Sequence, residues 1–329
     1  MSFQGYSTAV SNNGSTILIG GPYDDAHLGG AWIFVQNSTG GWSQQGPKLV
    51  PNDYQGQPSF GTSVSLSSDG NTALIGGFGA AWIFVRSSDV WSQKGPKLVG
   101  TLSQGNAGQG SSVSLSGDGK TALVGGKYDN TFVGAAWIFI QNSTGDWTQQ
   151  GDKLVGSGFI PSNVSPGAEQ GCSVSLSYDG NIALIGGPYN NGGFGATWVF
   201  TRNSKGNWSQ QGDYLAALNA TSTASQGNSV SLSSDGNTAL IGGPGDNDGA
   251  AWVYVTSTPA PNKQDKTGHP TTRYPSKSPT KKPTSRKPTF HPSKSPTKEP
   301  TTLKPTLYPS KSPTTRYPSK SPSPKPTKK

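Results

Sequence analysis

Four short stretches of this 329-residue chain carry residue types from which a binding site could be built. They are GPYDD (Gly21 to Asp25), GKYDN (Gly126 to Asn130), GPYNN (Gly187 to Asn191) and GPGDND (Gly243 to Asp248). In the first three a tyrosine stands beside two acids or amides: Tyr23 with Asp24 and Asp25, Tyr128 with Asp129 and Asn130, Tyr189 with Asn190 and Asn191. The last keeps only Asp246, Asn247 and Asp248. A phenol ring stacks on a sugar while neighbouring amides and carboxylates bond its hydroxyls. Clustered carboxylates also hold Ca²⁺. The same residues are ordinary turn chemistry, because Asn and Asp bond their own backbone in tight loops. Three readings therefore stand open: a glycan or protein contact, Ca²⁺, and plain turns.

Catalytic constellations are harder to find. His27 is the one histidine before the proline-rich C-terminal segment, and it is not repeated. The chain has no H-E-x-x-H, nucleophile elbow, phosphate loop or cysteine cluster. Gly76 to Gly79 end a strand pattern without opening a helix. Asp24 and Asp25 are sequence neighbours, which seldom face each other across a glycosidic bond. The expectation is a protein that is not an enzyme and needs no cofactor, with a carbohydrate-active enzyme as the remote alternative. The single cysteine, Cys172, aligns with Tyr6, Thr62, Ser111 and Asn228 and reads as a small residue at a strand start.

A five-fold repeat must position these loops. Its tightest copy is Phe60 to Leu98, in which SVSLS alternates Val64 and Leu66 with serine, the period of a strand. Asp69-Gly70 supplies a tight turn. TALIGG and AAWIFV read as the second and third strands, and the more polar WSQKGPKL as an outer fourth. Trp82 and Phe84 mark one apolar face, Ile83 and Val85 the other. The other copies begin near Gln4, Gln109, Gln170 and Gln226, and their third-strand tryptophans are Trp32, Trp137, Trp198 and Trp252. Trp42, Trp91, Trp147 and Trp208 mark the fourth strands, and the last copy stops after its third strand at Val255.

One four-stranded sheet with two apolar faces cannot bury itself, whereas radial stacking buries both faces of each sheet. The fold expected is an all-β propeller of about five blades, at roughly residues 3–59, 60–108, 109–169, 170–225 and 226–255. The loops between second and third strands fall on one face of the disc with the interblade linkers, and both vary in length. The short Asp-Gly and N-S-T-G turns fall on the other. Variable loops on a rigid scaffold are where binding is expected; drift in exposed loops gives the same pattern.

Phe60-Gly61 before the first strand and IGGP after the second resemble the FG-GAP repeats of integrin alpha propellers, and more closely the FG-GAP-like repeats of bacterial and algal surface proteins. The resemblance covers residues 3 to 255 and departs where the other copies have Gln-Gly for Phe-Gly. Integrin-type repeats often bind Ca²⁺ in a D-x-D-x-D-G loop. In blade two the earlier ligand positions are Ser65 and Ser67, so the metal site is not carried over.

Charge divides the chain into two polymers. Residues 1–258 carry a net −6 and residues 259–329 a net +15, together the +9 of the whole. The second segment holds 17 of the 26 prolines and repeats PSKSP after an aromatic ring at Tyr274, His291, Tyr308 and Tyr317. Such a sequence reads as a disordered, polyproline-rich stalk. Its cationic spacing suits an anionic matrix of polysaccharide, silica or phosphate, and no folded basic module accompanies it to mark a specific nucleic-acid site. It resembles the Pro-Ser/Thr-Lys repeats of algal and diatom cell-surface proteins.

Sequons stand at Asn13, Asn37, Asn142, Asn163, Asn207 and Asn219. No apolar run is long enough for a membrane span. No signal peptide is visible at MSFQGYSTAV; a start in mid-motif and a last blade without its outer strand read either as a five-bladed ring with an unfinished edge or, the reading preferred, as a fragment with a missing upstream segment. The function expected is adhesion or binding at the cell surface, in the wall or outside the cell, with the loop face holding a glycan or protein and the basic segment as tether. The alternative is an intracellular scaffold with a phosphorylatable tail.

Overall fold

The computed structural model describes residues 3–161, 167–217, 220–221 and 223–256. The basic segment at 259–329 lies outside them, as do Asn163 and Asn219. The described residues form five antiparallel sheets, four of four strands and one of three, each running outward in sequence order. The protein is a β-propeller. Blade one is β1 (Ser7–Val10), β2 (Thr16–Gly21), β3 (Gly30–Gln36) and β4 (Trp42–Gln44). Blade two is β5 (Ser63–Leu66), β6 (Thr72–Gly77), β7 (Ala80–Ser87) and β8 (Val90–Gln93). Blade three is β9 (Ser112–Leu115), β10 (Thr121–Gly126), β11 (Ala135–Gln141) and β12 (Trp147–Gln149). Blade four is β13 (Ser173–Leu176), β14 (Ile182–Gly187), β15 (Ala196–Arg202) and β16 (Trp208–Gln210). Blade five is β17 (Ser229–Leu232), β18 (Thr238–Gly243) and β19 (Ala250–Val255).

Each blade sends its two apolar faces to two different neighbours. Ile75, Trp82 and Phe84 of blade two pack on Leu18 and Ile33 of blade one. Leu74 and Ile83, from the opposite face of the same sheet, pack on Val124, Trp137 and Phe139 of blade three. At the ends of the series the pattern is exposed: Val10 of blade one is 60% accessible and Val253 of blade five 53%, against 6% and 1% for their counterparts Leu115 and Ile83.

The serine-rich first strands lie innermost and stitch blade to blade. Ser7, Ser63, Ser112 and Ser173 donate to the carbonyls of Gly61, Gly110, Gly171 and Gly227 in the next blade, each at 2.8 Å. Two glycines make this approach possible. Gly61 has φ +92°, and a Cβ there would strike the Gly30 carbonyl; a Cβ on Gly76 would strike that of Gly110.

On the uniform-turn face Ser67 Oγ donates to Asp69 Oδ1 and accepts from Thr72 N–H, closing the Asp-Gly turn. Burial alone would raise the Asp69 carboxyl, yet bonds from Ser67 and Asn71 outweigh it and hold the pKa below the ordinary value. The fourth strand is shorter than WSQKGPKL suggested. It ends at Gln93, the chain turns at Gly95 (φ +73°), and Leu98 returns as an isolated bridge to Ala81 of β7. Pro96 has no N–H with which to continue a ladder.

The Gln-Gly departure from Phe-Gly has a physical reason. Gln170 is fully buried; its Nε2 donates to the Gly156 carbonyl and its Oε1 accepts from Gly156 N–H, so one side chain satisfies both polar groups of a buried linker residue. Gln109 does the same for Gly100. Phe60 replaces that bond with rings, lying 5.5 Å from Trp82 and 5.8 Å from Phe84. Replacing Gln170 with alanine strands two buried groups. Chemical denaturation should show a loss on the order of 2–4 kcal/mol, and a loss under about 0.5 kcal/mol would remove this account of the linker.

Candidate functional site

The tips of the first strands, the starts of the β2–β3-type loops and the interblade linkers meet on one face of the disc, around the innermost strands. An open cavity of about 290 Å³ lies there. It is lined by one column of the repeat, Tyr6, Thr62, Ser111 and Cys172, and by members of another, Pro22, Phe78 and Lys127. Tyr23 and Tyr128 also line it. These two columns are where an otherwise uniform repeat changes chemistry from copy to copy. The column containing Cys172 reads in sequence as having no fixed role, because only the ring brings its members together. Its variability was the available signal.

Four aromatic side chains therefore surround the opening. Tyr6 is 55% accessible, Phe78 52% and Tyr23 37%. Tyr23 is set by edge-on contacts with Phe3, Tyr6 and His27, which gives the single body histidine a packing partner. Tyr128 separates this opening from a second cavity of about 470 Å³, lined by Gln104, Asn106, Asn130, Thr131 and Phe132. Tyr189 is exposed but does not line the axial cavity. Blade five has Gly245 where the tyrosine would stand.

The site's one ammonium, Lys127 Nζ, lies 5.0 Å from the Tyr128 ring centroid and 3.9 Å from Glu169. Burial lowers the Lys127 pKa, and ionised forms of Cys172 and Tyr128 together with Glu169 raise it above the ordinary value. Burial pushes the Cys172 thiol up against the pull of Lys127, so at neutral pH it is uncharged. Glu169 is itself raised by burial, with Lys127 opposing.

The acids and amides of the loops divide by position. In blades three, four and five the first of each pair braces a linker. Asp129 is buried, accepts from Gln104 N–H at 2.7 Å and pairs with Lys153. Asn190 accepts from Ile160 N–H at 2.7 Å, and Asp246 from Thr221 N–H at 2.8 Å. Asp24 pairs with Lys48 at 2.6 Å. The second of each, Asp25, Asn130, Asn191 and Asn247, sits at φ 47–50°, the left-handed region that short polar side chains tolerate. Asp248 is exposed. Turn chemistry thus accounts for most of the acid and amide pattern, while Tyr23 and Tyr189 are left exposed and Tyr128 half-buried.

Among the described residues no three His, Cys, Asp or Glu side chains group as a metal site. Ser65 and Ser67, at the positions where metal-binding repeats carry acids, spend their hydroxyls on Leu115 N–H and on the Asp69 turn. The sequons Asn13, Asn37, Asn142 and Asn207 are exposed on the uniform-turn face, away from the cavity. There Asn37 Oδ1 accepts from Thr39 and Gly41 N–H and shapes the turn.

No family model and no curated protein matches the chain. Solved structures do. A candidate 6-phosphogluconolactonase from Bacteroides uniformis is 14% identical with a TM-score of 0.47, covering 77% of this chain and 81% of that one. A second, from Bacteroides fragilis, is 14% identical with a TM-score of 0.49, covering 75% of this chain and 65% of that one. Hydrazine synthase from Kuenenia stuttgartiensis is likewise 14% identical, with a TM-score of 0.49, covering 76% of this chain and 64% of that one. The presence of enzyme names among these neighbours overturns the expectation that the chain is not an enzyme. At this identity the likeness is one of architecture and assigns no reaction.

If Asp129 is a brace, its replacement by alanine acts on folding. It should cost roughly 3–5 kcal/mol, because Lys153 is left as a poorly solvated charge. Tyr128→Ala, at a half-buried ring packed on Phe132, should cost less, about 1–2 kcal/mol. Equal losses in thermal denaturation would reject the division of labour between the two.

Proposed function

We propose that the protein is an FG-GAP-like propeller that binds a saccharide at the axial opening, outside the cell or at its surface or wall. One observation carries this reading: rings from three blades, Tyr6, Tyr23, Phe78 and Tyr128, converge on a single cavity with an ammonium beside them. Aromatic faces take up the C–H side of a pyranose, and phenol hydroxyls bond its oxygens. The hydroxyls of Thr62 and Ser111 line the same cavity; they donate to the Ser59 and Gly125 carbonyls and keep lone pairs to accept from sugar hydroxyls. A protein ligand presenting a glycan would use the same surface.

The basic segment at 259–329 complements this reading as a tether. Its +15 charge is opposite in sign to that of the body and attracts polysaccharide, silica or phosphate surfaces.

A glycan array followed by calorimetry tests the site. A saccharide found to bind should lose about ten- to a hundredfold in affinity with Tyr23→Ala and Tyr128→Ala combined, in a variant whose melting shows it folded. Unchanged affinity, or no binding across the array, rejects the site. The tether is tested by retention on a polyanion column: deleting 259–329 should abolish it, and retention by the propeller alone would refute the role.

A further inference from the structure

Blade five ends in an edge that the other four blades cover. Among the described residues β19 pairs with β18 only. In blades one to four the equivalent strand carries a fourth on its outer side, always with Trp-Ser/Thr-Gln: Trp42 to Gln44, Trp91 to Gln93, Trp147 to Gln149 and Trp208 to Gln210. The register is constant, with Gln44 opposite Phe34, Gln93 opposite Phe84, Gln149 opposite Phe139 and Gln210 opposite Phe200.

Blade five keeps the geometry that receives such a strand. Thr256 N–H donates to the Asn237 carbonyl at 2.9 Å, as Arg86 does to Asn71 and Arg202 to Asn181 at 2.8 Å. Tyr254 occupies the phenylalanine position opposite which the glutamine would lie. The strand, AAWVYV, has neither the lysine nor the proline with which exposed edges are commonly blunted.

The preceding blade also holds a docking group ready. Trp91 Nε1 donates to Gln45 Oε1 of blade one at 3.0 Å, and Trp208 Nε1 to Gln150 Oε1 of blade three at 3.0 Å. Gln211 stands in that column on blade four. It is exposed, and its side chain makes no hydrogen bond among the described residues. All nine tryptophans belong to the blades, so the Trp-Ser/Thr-Gln sequence does not occur in residues 257–329.

We propose that the outer edge of β19 takes up an extended peptide carrying Trp-Ser/Thr-Gln from another polypeptide, as the fourth strand of blade five. Main-chain bonds to β19 supply affinity, and the tryptophan reaching Gln211 supplies specificity. A labelled synthetic peptide with the sequence of residues 203–213, NSKGNWSQQGD, is titrated against the intact chain by fluorescence anisotropy.

Saturable binding in the micromolar range is expected, with slowed hydrogen exchange at the β19 amides. Changing the peptide's Trp208→Ala should weaken it about tenfold or more. Changing the protein's exposed Gln211→Ala should weaken it about three- to tenfold without altering its melting. Any of three results overturns the proposal: no binding at about 1 mM peptide, binding indifferent to the tryptophan, or a chain that sediments as a dimer with β19 already protected. The last would give the edge to a second copy.

Discussion

Everything in this molecule depends on the contact between one blade and the next. A single blade has an apolar residue on both faces of every central strand, so alone it is an insoluble ribbon. Stacking buries Trp82, Trp137 and Trp198 to 1% accessibility or less, each contributing on the order of 2–3 kcal/mol of transfer free energy. Hydrophobic contact has no direction, however, and would let blades slide. Direction comes from the first strands, where a serine of one blade holds a glycine carbonyl of the next at the same distance in every pair. A second ladder runs along the turn face, from Asn12 N–H to Ser68, from Ser68 N–H to Gly117, from Gly117 N–H to Tyr178 and from Tyr178 N–H to Ser234. Packing supplies the stability and these polar stitches set the register.

That constraint explains why the loops look like a binding motif and are only partly one. A loop leaving β2, β10 or β14 must cross to the next strand while supporting a long linker that has little structure of its own. In blades three and four the inward acid or amide after the tyrosine meets a linker N–H, in blade one Asp24 pairs with Lys48 instead, and the left-handed residue that follows turns the chain. Both demands select Asp and Asn, the residues that would also suggest Ca²⁺ or sugar hydroxyls. With those two positions consumed by the fold, the adjoining tyrosine has no structural duty of the same kind, and in blades one and three it faces the axial opening.

The architecture was legible because its signals are local and repeated. Trp82 and Ile83 alternate faces within one strand, and Asp69-Gly70 fixes one turn, so five copies gave the blades and their order. The function of Gln170 was not legible, since the residue it satisfies is fourteen positions upstream in a linker without pattern. Nor was the axial site. Tyr6, Thr62, Ser111 and Cys172 are each unremarkable in their own blade, and they line one cavity only when the innermost strands meet around a common centre. The loop tyrosines were found from sequence, but Asp129 and Asn190 beside them turned out to face the linkers.

One exception shows which bond the outer layer depends on. In the fourth strands a tryptophan normally reaches a glutamine of the preceding blade, yet blade two has Lys94 in that place, and Trp147 Nε1 is left buried without a partner. A lysine has no acceptor to offer. The blade still forms with the same register as its neighbours, so the tryptophan bond refines the position of the fourth strand without being needed to create it. Main-chain pairing with the third strand is sufficient for that. The first strands show the same pattern: the serine-to-glycine bond is present at all four junctions, while the second stitch, in which Ser65, Ser114 and Ser175 accept from Leu115, Leu176 and Leu232 N–H of the next blade, is lost in blade one, where Ala9 stands. Each layer thus keeps one bond at every junction, main-chain pairing at the rim and the serine-to-glycine bond at the centre, and lets the side-chain bond beside it vary.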